Sequence, residues 1–514
     1  MSNHLRAFAK KVLLPVFCLA TLIYAFNVSA FSFGALSKGL PMMGDMLLEM
    51  TPPNFTFWRR YLSLMWETIV IGVWGTFLGT LISLPIGFLA ATNTSPSKWI
   101  YAFFKSLVTL TRSIPELVYA LILVAAVGIG NLPGIIAIMI HTVGLASKFF
   151  SEAIENVDRK PVEAVSSTGS LFIHVIRHSI LPQLTTLFSG YTLFILDHNI
   201  RVTVAVGIVG AGGIGLELFR RMRQFQYDQV AAMIIIIFLV VLVIDRISAY
   251  VRQETIKGTF LSRQNRRWDW PILGGLFVLL GVSLPNVFGQ LGGLLRGLPV
   301  IAEIILNMIP PDFSETPKYL GLMVETLGMA IAGTVLAVLA SIVIGILAAR
   351  NIMRFRLVTW AMSGVTTFLR AMPDILFALF FVVAVGLGPF AGVVALMLSS
   401  IGFLGKFYAE AIENIDPRVV EAIDATGAHP LQRIGHAVVP QVLPLFNNYN
   451  LYVLDRNVRA STVLGIVGAG GIGFELTISM RMYNWPQAIA IILLIFAVIL
   501  AVDYLSTYLR KKIV

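Results

Sequence analysis

Three groups of residues in this 514-residue chain have the types and spacing to do chemistry. The first lies in an apolar run: Asp197, Asn199 and Arg201, repeated as Asp455, Asn457 and Arg459. A charge at the centre of a membrane helix costs roughly 2.5–3.5 kcal/mol on insertion scales, so such residues face a protein interior or a wet path. Four positions apart, Asp197 can pair with Arg201 along one helix face, and Asp455 with Arg459. The same arginines could line a path for an oxyanion, because the planar guanidinium binds such oxygens with two hydrogen bonds. The two readings coexist: a carboxylate that fixes an arginine also weakens its hold on an anion. His198 and Arg456 differ between the copies, so a site there is asymmetric. His141, matched by Ser399, reads as a helix-packing residue.

The second group is glycine. Gly210, Gly212, Gly213 and Gly215 fit G-x-G-x-x-G, with copies at Gly468, Gly470, Gly471 and Gly473. A dinucleotide site also needs a βαβ unit and an acidic residue about 20 positions on. Position 235 lies inside an isoleucine run instead. The block therefore reads as a close-packed or unwound helix end at an outer gate, where glycine lets backbones approach.

The third group is acidic and polar. Glu152, Glu155, Asp158, Glu163-Ala164 and Gly169 recur as Glu410, Glu413, Asp416, Glu421-Ala422 and Gly427. Glu152 to Glu155 reads as the end of a helix, Asp158 and Asp416 as N-caps of a second, and the glycines as its stop. An exposed loop is free to vary, so internal identity here asks for a partner that meets each copy alike.

The elements that must hold these groups are membrane helices. The chain is 57% hydrophobic and 13% charged, with mean hydropathy +0.83. A disordered protein, a nucleic-acid-binding module and a soluble multidomain enzyme are excluded by that balance. One cysteine, Cys18, excludes a disulfide framework and a thiolate metal site, and no other metal or catalytic constellation stands out. The copies keep a constant offset of 258 residues from about residue 39 to Asp245 and Asp503. Duplication and fusion follow, giving repeats 1–258 and 259–514. Apolar runs of spanning length fall near 12–32, 62–91, 114–131, 133–149, 180–208 and 229–250. The second repeat has them near 271–289, 320–349, 372–389, 391–407, 438–466 and 487–508. The expected fold is all-α and polytopic, about twelve spans in two parallel six-helix repeats. Lys10-Lys11, the basic run 252–267 and Arg510-Lys511-Lys512 place both termini in the cytoplasm, with Arg59 and Arg60 on the wrong side. This puts much of the net charge of +11 on the cytoplasmic face. Val28-Ser29-Ala30 resembles a cleavage site after a signal sequence, and retention of the first span is expected. Segments 34–60 and 292–318 read as external amphipathic helices. Arg112-Ser113-Ile114-Pro115 reads as a break between an interfacial helix, 100–111, and the third span. Trp99, Tyr101, Trp268, Trp270 and Trp485 read as interface belts.

Glu163-Ala164-Val165, Gly169 and Leu181-Pro182 resemble the "EAA" signature of ABC importer permeases, as do Glu421-Ala422-Ile423, Gly427 and Val439-Pro440. The Arg112–Glu116, Ala153–Asp158 and Gly207–Gly215 blocks, each present twice, resemble the phosphonate-import subfamily. The fusion itself departs from the usual single six-span chain. The resemblance implies the ABC importer permease fold in a bacterial inner membrane. It implies an ATPase dimer docking on the polar loops, and a periplasmic or membrane-tethered binding protein delivering a small phosphorus oxyanion. The chain carries no G-x-x-x-x-G-K-[ST] loop, so ATP and Mg belong to the partner and the chain holds no cofactor of its own. The partners are thus protein, substrate and membrane lipid, with no nucleic acid. The rival readings are the same machine for phosphite or phosphate, a twelve-span secondary transporter, and a nicotinamide-dependent membrane oxidoreductase.

Overall fold

A computed structural model describes residues 14–29, 33–257, 266–289, 291–353 and 355–513. Lys10-Lys11, Ala30 and half of the basic run 252–267 (258–265) fall outside those residues, as do the side chains of Cys18, Trp268 and Lys511-Lys512. Among the described residues every regular element is helical. The first repeat runs α1 Leu14–Val28, α2 Phe33–Glu49, α3 Trp58–Leu89, α4 Lys98–Ser113, α5 Glu116–Val127, α6 Asn131–Glu155, α7 Arg159–Ser166, α8 Leu181–Ile208, α9 Ile214–Arg223 and α10 Tyr227–Ile256. The second runs α11 Arg266–Gly289, α12 Leu291–Asn307, α13 Thr316–Ala348, α14 Arg356–Ala371, α15 Asp374–Val385, α16 Pro389–Glu413, α17 Pro417–Asp424, α18 Val439–Leu464, α19 Gly471–Arg481 and α20 Trp485–Ile513.

Among the described residues seven helices are long and apolar enough to cross a bilayer, or up to ten if each bent pair counts as one span. The other two of the twelve expected spans are α1, with 15 residues, and the apolar part of α11, Asp269–Pro285. The described part of α1 falls below the roughly 17–25 residues a bilayer asks for, and the 17 residues of Asp269–Pro285 sit at its lower edge. The expected break after Arg112 is present: α4 and α5 meet at 83°, and α14 and α15 at 91°. Proline causes it. Its ring excludes Ile114 and Met372 from helical geometry, and both are extended. Proline acts a second time before α8 and α18. Pro182 and Pro440 lack the N–H that would bond four residues back, and a π-turn precedes each helix, at Ile176–Ile180 and Ile434–Val438.

The compact units do not follow the sequence repeats. One comprises Met1–Leu48 with Met308–Val514, the other Glu49–Asn307. In the first unit α1 crosses α13 where Gly328 lets the backbone at Ala25 and Ser29 approach, and α2 meets α15 at Gly39 and Val385. In the second, α12 meets α5 at Gly297 and Val127, and Trp74 on α3 donates to Ser283 on α11 at 2.8 Å. Helices α2 and α12 keep Leu40, Leu47, Leu48, Leu295, Leu298 and Leu306 exposed, an apolar face suited to lipid. Trp99 and Trp270 are exposed, as a belt requires, but Trp485 is buried at the start of α20. It packs edge-on to Tyr483, 6.0 Å between centroids.

Candidate functional site

Each polar loop is built on an aromatic base. Phe150 and Phe188 stack beneath the first at 4.2 Å, and their counterparts Tyr408 and Phe446 beneath the second at 3.8 Å. Asp158 Oδ1 accepts from the Lys160 amide at 3.0 Å and caps α7, and Asp416 accepts from Arg418 at 2.9 Å and caps α17. Gln183 and Gln441 hold the amides of the two caps. Glu155 accepts from the Thr92 amide at 3.0 Å and Glu413 from Arg350 at 2.9 Å, tying α6 and α16 to the preceding loops. Glu152 and Glu410 reach Lys148 and Lys406 at 3.8 and 3.6 Å. Gly169 and Gly427 take φ of +73° and +75°, the left-handed turn that ends the motif. The short helices end three residues before those glycines, at Ser166 and Asp424. Neither α7 nor α17 has a buried residue, and Glu163, Ala164, Glu421 and Ala422 face outward. Of the twelve residues singled out in these loops, Glu155, Asp158, Glu413 and Asp416 build the frame, and the Glu-Ala pairs form its surface.

In the membrane, Arg201 uses Nη1 and Nη2 on the two oxygens of Asp197, at 3.2 and 2.7 Å. The second copy is looser. Arg459 Nη2 reaches Asp455 Oδ2 at 2.7 Å, while Arg459 Nη1 and Asp455 Oδ1 are buried without a partner among the described residues. Asn199 and Asn457 are fully buried. Asn199 Nδ2 donates to Thr76 and Thr142 at 2.8 and 2.7 Å; Asn457 Nδ2 donates to Thr334 and Ser400 at 2.9 and 2.8 Å. Each asparagine thus ties three helices together, and Asn199 Oδ1 stays buried without a partner among the described residues. The arginines are placed for either of their two readings.

A further polar centre went unrecognised in the sequence because its members come from three helices. In the second repeat, Arg456 Nη2 donates to both oxygens of Asp374 at 2.8 Å and to Ser399 Oγ at 2.9 Å. The matching positions of the first repeat hold His198, Glu116 and His141. There His141 Nδ1 lies 3.6 Å from Glu116 Oε2, and the two imidazole centroids are 6.3 Å apart. The signal was present: beside a carboxylate kept in both copies, two histidines, His141 and His198, change to Ser399 and Arg456 between otherwise similar repeats.

The glycine blocks are packing devices in the structure. No strand precedes them, since α8 runs to Ile208. Gly210, Gly212 and Gly213 adopt φ of +101°, +82° and +75°, and Gly468, Gly470 and Gly471 +101°, +78° and +70°. A side chain at Gly215 or Gly473 would collide with the carbonyl of Val204 or Thr462. The amide that follows each turn is taken: Thr68 accepts from Ile214 and Thr326 from Ile472, both at 2.9 Å. At the same end, Glu217 receives Arg60, Arg220 and Arg221 at 3.2, 3.2 and 2.8 Å. Arg60, misplaced by the charge rule, thus shares with Arg220 and Arg221 a carboxylate whose side chain is only 4% exposed.

With two matched polar loops, broken spans and close-packed glycine turns in place, the comparisons define the class. The family of binding-protein-dependent transport system inner membrane components matches residues 83–257 and again 341–514. The chain belongs to that family. It is a duplicated, multi-pass inner-membrane permease of the ABC type, not itself an enzyme, and the family works with a separate ATPase and a binding protein. It is 34% identical over 507 residues to the phosphate-import permease protein PhnE of Mycolicibacterium smegmatis, covering 96% of this chain and 93% of that one. It is 42% identical over 272 residues to the phosphite transport system permease protein PtxC of Stutzerimonas stutzeri, covering 52% of this chain and 97% of the relative. It is 44% identical over 120 residues to a putative cryptic phosphonate transport system permease protein, PhnE2, of Escherichia coli, covering 23% and 98%.

Proposed function

We propose that the chain is the membrane permease of an ATP-driven importer for phosphonate or a related phosphorus oxyanion, phosphite and phosphate included. The observation that carries the reading is the twice-built docking surface, α7 and α17. Each is a capped helix with no buried residue, held on a rigid aromatic base, with one outward Glu-Ala pair. Such a surface suits a dimeric partner that meets both copies. Closure of that dimer on ATP would move α7 and α17 together, and the bases beneath them would pass the motion to α8 and α18. The names of the similar permeases support the substrate class. In this reading the docking loops and both termini are cytoplasmic, and the glycine turns flank an outer gate. Arg201 and Arg459 would each offer a passing anion a guanidinium already held by a carboxylate, and the moderate affinity that results suits passage.

The test is Glu163→Lys combined with Glu421→Lys, with the chain purified together with its ATPase. The variant should insert in normal amount and lose the ATPase. Retention of the ATPase at wild-type stoichiometry would remove the coupling role.

A further inference from the structure

Two sequence-equivalent centres carry opposite kinds of charge. In the second repeat Arg456 is a permanent cation, fixed by Asp374 and Ser399 through Nη2 alone in its described hydrogen bonds. An arginine stays charged at any biological pH. In the first repeat the carboxylate remains, as Glu116, but the cation is replaced by His198 and the hydroxyl by His141. Here a cation exists only when an imidazole holds a second proton, and histidine is the side chain that changes charge near neutrality. The group is neither sealed nor fully open: the side chains of His141 and Glu116 are 12% and 18% exposed, those of Arg456 and Asp374 27% and 25%.

The surroundings supply few other charges. Helix α6 carries His141, and the helices packed on it are α3, α4, α5 and α8. Helix α5 contributes Glu116. Helix α4 contributes Arg112, whose backbone nitrogen approaches α6 at Gly144. Helix α8 contributes His198 and the Asp197–Arg201 pair, whose charges cancel. The charged residues of α3, Arg59, Arg60 and Glu67, sit in its first turns, and Arg60 is occupied by Glu217. Thr76 of α3 faces this region through Asn199.

We propose that Glu116, His141 and His198 form a proton-dependent anion subsite, in which an imidazolium offers a phosphorus oxyanion the cation that Arg456 offers permanently in the other repeat. The inference rests on the transport reading above. Protonated imidazoles donate N–H to P–O⁻ oxygens. Glu116 balances the charge when the site is empty, and can accept from a P–OH when it is filled. Deprotonation leaves the carboxylate facing the anion, and binding weakens. The subsite therefore selects for the protonated state of the centre, a property that two copies of the second repeat would lack.

The experiment measures uptake of radiolabelled phosphate, phosphite and methylphosphonate, one at a time, by whole cells whose importer carries wild type or variant. External pH runs from 6 to 8. The variant Glu116→Asp/His141→Ser/His198→Arg gives the first repeat the residues of the second. Comparing variants at one pH cancels the titration of the substrate and of the partners. The ratio of wild-type to triple-variant uptake should fall at least five-fold between pH 6 and pH 8, because an imidazolium is lost as pH rises while the arginine of the variant stays charged. His198→Gln, a smaller change, should reduce uptake at pH 6 by at least five-fold and at pH 8 by less than two-fold. Profiles that superimpose for wild type and both variants would overturn the subsite while leaving transport intact. Uptake of none of the three anions by the wild type would overturn the transport reading first, and the subsite with it.

Discussion

Asn199 and Asn457 show how a residue chosen for its chemistry can serve packing. Each is an amide in an apolar run, a reasonable candidate for a wet path. Each is fully buried, with its amide nitrogen shared between hydroxyls of two other helices. Removing the asparagine from such a buried network leaves the hydroxyl oxygens without their amide donor, at about 1–2 kcal/mol. Asn199→Ala should lower stability by about that amount in detergent unfolding. Asn457→Ala should cost at least as much, since Ser400 also donates to its Oδ1 at 3.1 Å. Unfolding curves that coincide with wild type would return both asparagines to the candidate path. The Asp-Arg pairs were readable from their four-residue spacing alone, because helix periodicity is local. The Glu116–His141–His198 centre was not. Its members lie on α5, α6 and α8, and only tertiary packing joins them.

The helices themselves were largely legible, because bilayer thickness and proline act over a few residues. Pro115 announced the break between α4 and α5, and Asp158 the cap of α7. The crossings were less so, since a glycine does not say which helix it will meet. Gly144 on α6 is where α4 crosses: a methyl group there would lie 2.7 Å from the Arg112 nitrogen and the Thr111 hydroxyl. At Gly402 the same methyl would lie 2.6 Å from the Arg370 nitrogen. Backbone cannot give way as a flexible side chain does. Gly144→Val and Gly402→Val should each destabilise by about 1–3 kcal/mol in thermal unfolding. Gly364→Ala on α14, with open space around it, should be neutral or stabilising by up to about 1 kcal/mol. Equal tolerance at all three positions would refute this account of the crossings.

At the scale of the molecule, the duplication was visible in the sequence but the grouping of helices was not. Hydropathy marks α1 and α11 as apolar without naming the neighbour each will choose. Helix α1 joins the unit of the second repeat, its Val28 Cβ 3.7 Å from where a Cβ at Gly328 would stand. That separation matches a disulfide, near 3.8 Å between Cβ atoms. Val28→Cys with Gly328→Cys, in a Cys18→Ser background, should crosslink on oxidation. After cleavage at a protease site inserted in 258–265, the oxidised chain should then run as one band. Two bands would mean that α1 stays with its own repeat. The exchange also sets a timetable for synthesis. Glu49–Asn307 is one unbroken stretch and can complete its fold as it emerges. Met1–Leu48 is made first yet must wait until the ribosome has translated that whole stretch and begun Met308–Val514. At about 5–20 residues per second the delay is roughly 15–50 s, during which α1 lies in the membrane without its partner.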